Sequence, residues 1–527
     1  MTTFSLCDQL IRAARLFPRQ EALCCGGQRL SWPQLLTRTR RMAGVLRQLQ
    51  VGPGDRVAIL ALNSADYYAL YFAAPWIGAI VVPVNIRLAP AEIVYWLNDS
   101  GARVLLVDQA FQDTVAGIRR DCPSIEHYLS VDSESPAGTG NTDSWLELLG
   151  PLLADAQPVA DDARTEREVA ALFYTGGTTG RSRGVMLTHT SMLHNILQWI
   201  IVVGTSRADT LLIAAPMFHM VAGLNSIAAA VLGARLVIQP RFDPGEVLSC
   251  IESERITKAA LVPAMVEMLV SHPDFPRRDV SSLQRISYGG APMPEEIMEK
   301  AQANLTQVQF YQIYGQTEAS GIVSCLGPEY HTLEAPRAAK RRSAGQPAPG
   351  TDLAILDEQG GLLPSGEIGE IVVRSPGLSR GYWQNEEETH KLFRQGWLHT
   401  GDAGYLDADG FLYIVDRLKD MIVTGGENVY AAEVENVLYR LPGVKQCAVI
   451  GIPSDTWGEQ VHAVIRLVDD SGLDENDVIA FCREHLANYK CVRSVEFRAE
   501  DLPVSAMNKI LKRELRRPWW ESQARRI

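Results

Sequence analysis

Short apolar runs rich in β-branched residues alternate with amphipathic stretches of helical period up to about residue 345. That alternation restricts the fold more than any other feature of the chain. RVAILAL (56–62), AIVVPV (79–84) and RVLLVD (103–108) have strand length, and LSWPQLLTRTRRMAGVLRQL and PAEIVYWLNDSG between them have helical spacing. Strand–helix–strand order predicts an α/β fold of parallel sheets covered on both faces by helices. The pattern resumes after residue 170 in RLVIQP, KAALVP, RISYGG and VQFYQIYG. Near 345 a Gly- and Pro-rich texture with brief β runs predicts a small β-rich subdomain over about 340–416. Mixed helix and strand returns after VDRLKDMIVTGG. The expected organisation is a large N-terminal domain (1–416), a hinge at 417–420 and a small mobile α+β C-terminal domain (421–527). Exposed loops are expected at 135–143 and 155–168.

The uncharged run 67–86 is long enough to span a bilayer. Pro75, Gly78 and Pro83 interrupt it, however, and its second half is β-branched. The reading is a buried helix from an N-cap at Ser64 to Ile77, followed by a core strand. With 46% hydrophobic and 21% charged residues, the 527-residue chain is neither disordered nor a coiled coil. Its net charge of −12 argues against a general nucleic-acid binder. Nine cysteines without a C-x-x-C pair predict reduced thiols in a cytoplasmic protein, with no disulfide framework or zinc site. The N-terminus lacks the apolar core of a signal peptide.

The most informative segment is 175–184, TGGTTGRSRG, which follows the apolar run VAALFY. Four glycines (176, 177, 180 and 184), threonines 175, 178 and 179, and two arginines share ten residues. Glycines let backbone N–H groups reach phosphate oxygens, hydroxyls add donors, and cations offset ligand charge. The segment reads as a phosphate loop before a helix near Thr190. It is not a Walker A loop, because Gly180 is followed by Arg181.

TGGTTGRSRGVMLTH resembles the signature of the adenylate-forming superfamily, which includes acyl-CoA synthetases, luciferases and peptide-synthetase adenylation modules. APMFHMVAG (215–223), YGGAPMP (288–294), YQIYGQTEAS (311–320), GEIVVRSPGLSRGYW (369–383), the long motif at 396–435 and LPVSAMNKILKREL (502–515) extend the likeness over almost the whole chain. The chain departs from the usual pattern in having glycine for a loop serine, and Ser182-Arg183-Gly184 for Pro-Lys-Gly.

The resemblance implies an ATP- and Mg²⁺-dependent ligase that forms an acyl-adenylate and then a coenzyme A thioester. Thr175, Gly176, Gly177, Thr178, Thr179, Gly180 and Arg183 would cradle phosphate. Gly289, Gly290, Ala291, Tyr314, Gly315, Gln316 and Thr317 would surround adenine, and Glu318 would hold the metal. Asp402 and Arg417 would meet ribose, and Lys419 would serve the hinge. Gly425, Gly426 and Glu427 would border the thiol tunnel, and Lys509, with Glu318 and Thr178, would act in catalysis. His219, Val262, Pro263, Tyr288, Gly290 and Gly315 would bound the acyl pocket. Segment 211–230 has no carboxylate where amino-acid-activating relatives usually carry an Asp for the substrate's ammonium group, so the resemblance implies a plain carboxylic acid, fatty or aryl, in preference to an amino acid. Two other readings stand beside this one: an acyl-AMP ligase loading a carrier protein's phosphopantetheine, and a catalytically silent nucleotide sensor or scaffold. A homodimer is left open; no nucleic-acid partner is expected.

Overall fold

The computed structural model describes every residue except 1–4, 132–144, 161–167, 176–181, 292, 333, 335, 426, 455, 470, 505–509 and 522–527. The expected loop at 135–143 lies outside the described residues, as does half of the connector at 155–168. The chain forms two compact units, Met1–Leu353 with Val373–Leu398, and Ala354–Val372 with His399–Ile527.

The first unit is built on two sheets. The seven-stranded sheet runs, edge to edge, Glu147–Leu148, His127–Ser130, Val104–Val107, Arg56–Leu60, Ile80–Pro83, Val169–Thr175 and Arg183–Thr188. All its pairings are parallel except the last, an antiparallel hairpin. In the nine-stranded sheet, Gln309–Gln316, Arg285–Gly289, Lys258–Leu261, Thr210–Ile213, Arg235–Ile238 and Glu21–Cys25 form the parallel centre. The runs read as strands from sequence are strands here. Arg56–Leu60, Ile80–Pro83, Val104–Val107 and Lys258–Leu261 are buried almost throughout, as parallel strands between helices must be, whereas Gln309–Gln316 is half-buried over its carboxyl-terminal half.

The membrane-length run is a core helix, Ala65–Trp76, every residue of which is buried. Ser64 caps it by accepting a hydrogen bond from the Tyr67 N–H. The helix touches strands of both sheets, which is why it is apolar all round. Among the described residues no helix is long and apolar enough to cross a membrane.

One expectation needs correction. The segment 175–184 is not all loop, because Arg183 and Gly184 open the strand Arg183–Thr188 and pair with Thr175 and Tyr174. Val185 and Leu187 are buried, an alternation of period two that fixes the segment as a strand. The following helix, His189–Val203, is capped by Thr188, close to the expected start.

In the second unit, Val444–Ser454 and Gly458–Leu467 form a long antiparallel hairpin. Ile422–Thr424 with Glu427–Val429 and the parallel strand Ser494–Arg498 extend it into a sheet. The helices Ala431–Leu438 and Glu475–His485 contribute Val434, Leu438, Val478 and Cys482 to one core beside this sheet. A second core holds Ile450, Val464, Leu502 and Leu515, with Ile510 packed against it.

Candidate active site

In the nine-stranded sheet, Leu261 is level with Tyr288 and Tyr288 with Gln312. Val262, Gly289, Gly290, Ile313 and Tyr314 therefore lie together at the carboxyl ends of three neighbouring parallel strands, the edge at which open α/β sheets bind ligands. The glycines here have separate causes. A Cβ on Gly289 would stand 2.4 Å from the Ile313 carbonyl oxygen, and one on Gly315 would stand 1.6 Å from that of Gly321, so close backbone packing excludes side chains. Gly290 has φ +79°, with open space where a Cβ would point. Ala291 and Gly315 are exposed, and Tyr314, Gln316 and Thr317 are half-buried.

Glu318 lies in the turn Thr317–Ala319 after the last parallel strand. Its Oε1 accepts hydrogen bonds from the Thr175 hydroxyl at 3.2 Å and the Tyr382 hydroxyl at 3.1 Å. Thr175 ends a strand of the other sheet, so this contact joins the two sheets of the first unit at one carboxylate. Arg183, the cross-strand neighbour of Thr175, places its guanidinium 5.1 Å from the Tyr382 ring centroid. It also forms a 2.5 Å ion pair with Glu388. Among the described residues Glu318 itself takes part in no ion pair. Sequence reasoning assigned no role to Tyr382 or Glu388, although Tyr382 lies in a quoted motif (369–383). Their partners lie about 65 to 205 residues away in the chain.

His219 precedes the helix Met220–Leu232, its ring 4.3 Å from that of Phe218. Burial, with a smaller contribution from Arg87, lowers its pKa to about 4, which keeps the ring neutral. Beside it lies a cavity of about 320 Å³, walled in part by Phe218, Phe242, Met265 and Met268, with Arg87 and Arg241 also in its lining. His219 itself, Val262, Pro263, Tyr288, Gly290 and Gly315 do not line this cavity. Val262 and Pro263 start a helix. Tyr288 packs in the core, its hydroxyl 3.2 Å from Gln312 Oε1 and 2.9 Å from His331 Nε2.

In the second unit Asp402 and Arg417 are cross-strand partners, with Nε 3.4 Å from Oδ1. Asp402 is buried, and its N–H donates to the Thr400 hydroxyl. Lys419 lies in the turn Leu418–Asp420, and its carbonyl accepts from Arg516 Nη1 at 3.3 Å. Gly425 has φ +60°, and a Cβ there would stand 2.9 Å from the Trp457 ring. Glu427 is an exposed strand residue. Gly176, Gly177, Thr178, Thr179, Gly180, Gly426 and Lys509 lie outside the described residues.

A carboxylate steadied by two hydroxyls and, among the described residues, in no ion pair fits a divalent cation and the phosphates it neutralises. Glu318 would hold such a cation, and when bound the ion supplies charge neutralisation on phosphate oxygens.

Residues 10–383 match the AMP-binding enzyme family, and residues 433–509 match the AMP-binding enzyme C-terminal domain. A feruloyl-CoA synthase of Amycolatopsis sp is 39% identical over 508 residues, covering 96% of this chain and 97% of that protein. A long-chain-fatty-acid–CoA ligase of Mycobacterium tuberculosis is 36% identical, covering 93% of each. The o-succinylbenzoate CoA synthetase of Bacillus subtilis has been solved with its acyl-adenylate intermediate OSB-AMP, and that structure superposes with a TM-score of 0.84 at 29% identity over 98% of both chains. Its complex with ATP and magnesium gives 0.83 at 29% identity, over 96% of this chain and 98% of that one. The chain belongs to the AMP-binding, adenylate-forming enzymes and is an acyl-CoA ligase, an acid–thiol ligase that acts through an acyl-adenylate.

Proposed function

We propose that this ligase activates an aryl-substituted carboxylic acid, using ATP, Mg²⁺ and coenzyme A. A carboxylate oxygen of the acid attacks the α-phosphorus of ATP and pyrophosphate leaves. The thiol of coenzyme A then attacks the acyl carbon and AMP leaves, giving the thioester. The observation that carries this reading is Glu318, a carboxylate fixed by the Thr175 and Tyr382 hydroxyls and, among the described residues, in no ion pair. The aryl choice draws support from the feruloyl-CoA synthase that matches this chain nearly end to end.

The residues 175–180 contribute amide and hydroxyl donors to the phosphates, with Thr178 and Glu318 at the reacting phosphate. Gly289, Gly290, Ala291, Tyr314, Gly315, Gln316 and Thr317 frame the base, and Asp402 and Arg417 meet the ribose. Lys509 supplies a cation to the charge that develops during adenylation. Residues 417–420 form the hinge about which 421–527 reorient before Gly425, Gly426 and Glu427 border the incoming thiol arm. The neutral His219 ring lies beside the acyl group. All nine cysteines are free thiols, which supports a cytoplasmic location.

Lys509→Ala tests the chemistry. Acid-dependent pyrophosphate exchange should fall about 10²–10³-fold, while thioester formation from supplied acyl-adenylate persists; equal loss in both overturns the role. A panel of arylpropenoic, benzoic and straight-chain acids, read by coenzyme A consumption, tests the substrate. Preference for a long alkyl chain overturns the aryl assignment. Holo-carrier protein offered as acceptor in place of coenzyme A tests the carrier-loading alternative.

A further inference from the structure

Residues 379–383 are fastened to the hairpin that bears the phosphate loop and to Glu318 itself. The Met186 N–H donates to the Gly381 carbonyl and the Arg380 N–H to the Met186 carbonyl, each at 2.9 Å, and the Trp383 N–H donates to the Gly184 carbonyl at 2.7 Å. The Ser379 N–H donates to the Glu318 backbone carbonyl at 3.0 Å. Gly381 makes the bend possible. Its φ is +100°, and a Cβ there would strike Thr389 at 2.3 Å. The next side chain, Tyr382, is buried, and its hydroxyl reaches Glu318 Oε1.

Arg183 lies over this ring. Its guanidinium is occupied by Glu388, 2.5 Å away, and by the ring face, a desolvated arrangement that holds a planar cation well. Both side-chain hydrogen bonds to Glu318 end on Oε1, and among the described residues none reaches Oε2.

We propose that Tyr382 is a positioning residue for Glu318: clamped beneath Arg183, it fixes Oε1 so that Oε2 is presented to the divalent cation of the metal–nucleotide substrate. This assignment rests on reading Glu318 as the metal ligand. It also gives Arg183 a task distinct from phosphate binding, because its charge is spent on Glu388 and the ring.

The test measures binding of Mn²⁺·ATP by titration calorimetry and by the Mn²⁺ paramagnetic signal, alongside binding of ATP in EDTA. Tyr382→Phe removes one hydrogen bond to a charged group, so Mn²⁺·ATP affinity should fall about tenfold. Metal-free ATP affinity and the melting temperature should be unchanged. Arg183→Met should reproduce the effect, and Arg183→Lys, which keeps a cation over the ring, should largely restore wild-type affinity. Glu318→Gln is the control. If it weakens Mn²⁺·ATP binding while Tyr382→Phe does not, the positioning role is overturned. If Glu318→Gln leaves metal binding intact, the metal-ligand reading falls instead. Equal weakening of Mn²⁺·ATP and metal-free ATP in Tyr382→Phe would mark a purely structural role and also overturn the proposal.

Discussion

Glu318 in the first unit and Glu435 in the second are both carboxylates partly withdrawn from water, and they are treated in opposite ways. Glu318 is held by two neutral hydroxyls and, among the described residues, forms no ion pair. Glu435 is matched by Lys512 Nζ at 2.8 Å, and its Oε1 also accepts the Val449 N–H at 2.7 Å. Burial still raises the Glu435 pKa, against the opposing pull of Lys512. A carboxylate with a resident cation is finished structure. One steadied by hydroxyls alone is available to a cation that arrives with a ligand. Lys512 begins the helix Lys512–Trp520, so in the second unit this ion pair ties the start of that helix to Glu435.

The largest effect should come from breaking the finished pair. Lys512→Met strands Glu435 as an unpaired buried charge and should destabilise the protein by about 3–5 kcal/mol in urea unfolding. Adding Glu435→Leu should recover most of that loss. A neutral single mutant would erase the contrast between the two carboxylates. Glu318→Gln should do the reverse, lowering acid-dependent pyrophosphate exchange about 10²–10³-fold while leaving the urea midpoint near wild type. A matching fall in stability would make Glu318 structural as well. The smallest effect belongs to Arg417→Gln. Its guanidinium is 42% exposed and 3.4 Å from Asp402, so folding stability should change by only about 0.2–1 kcal/mol. A larger loss would place Asp402 with Glu435 as a structural carboxylate, not with Glu318.

Much of the scaffold was legible before any coordinates. The helix Ala65–Trp76 and its Ser64 cap follow from a local hydroxyl, an uncharged run and a proline. The strands Val104–Val107, Arg235–Ile238 and Arg285–Gly289 follow from β-branched runs of the right length. The Arg183–Thr188 strand was missed because glycine and arginine at its start resemble loop composition, and only pairing with Val169–Thr175 reveals it. The site was partly legible. Thr175, Glu318, Asp402 and Arg417 stand out as chemistry-bearing types in dense motifs, and the structure brings Thr175 to Glu318 and Asp402 to Arg417. That Tyr288 turns into the core toward His331 depended on a strand register, which sequence does not state.

The sequence by itself determined the alternation of strands and helices, the caps, the apolar core and the chemical types available to a nucleotide site, because each depends on residues close together in the chain. Only the tertiary structure decided that Glu318 would be steadied by Thr175 and Tyr382, and that Arg183 would spend its charge on Glu388. It also decided that Gly289 and Gly315 are required by facing carbonyls. These are contacts between segments remote along the chain, and their geometry exists only once the sheets have packed.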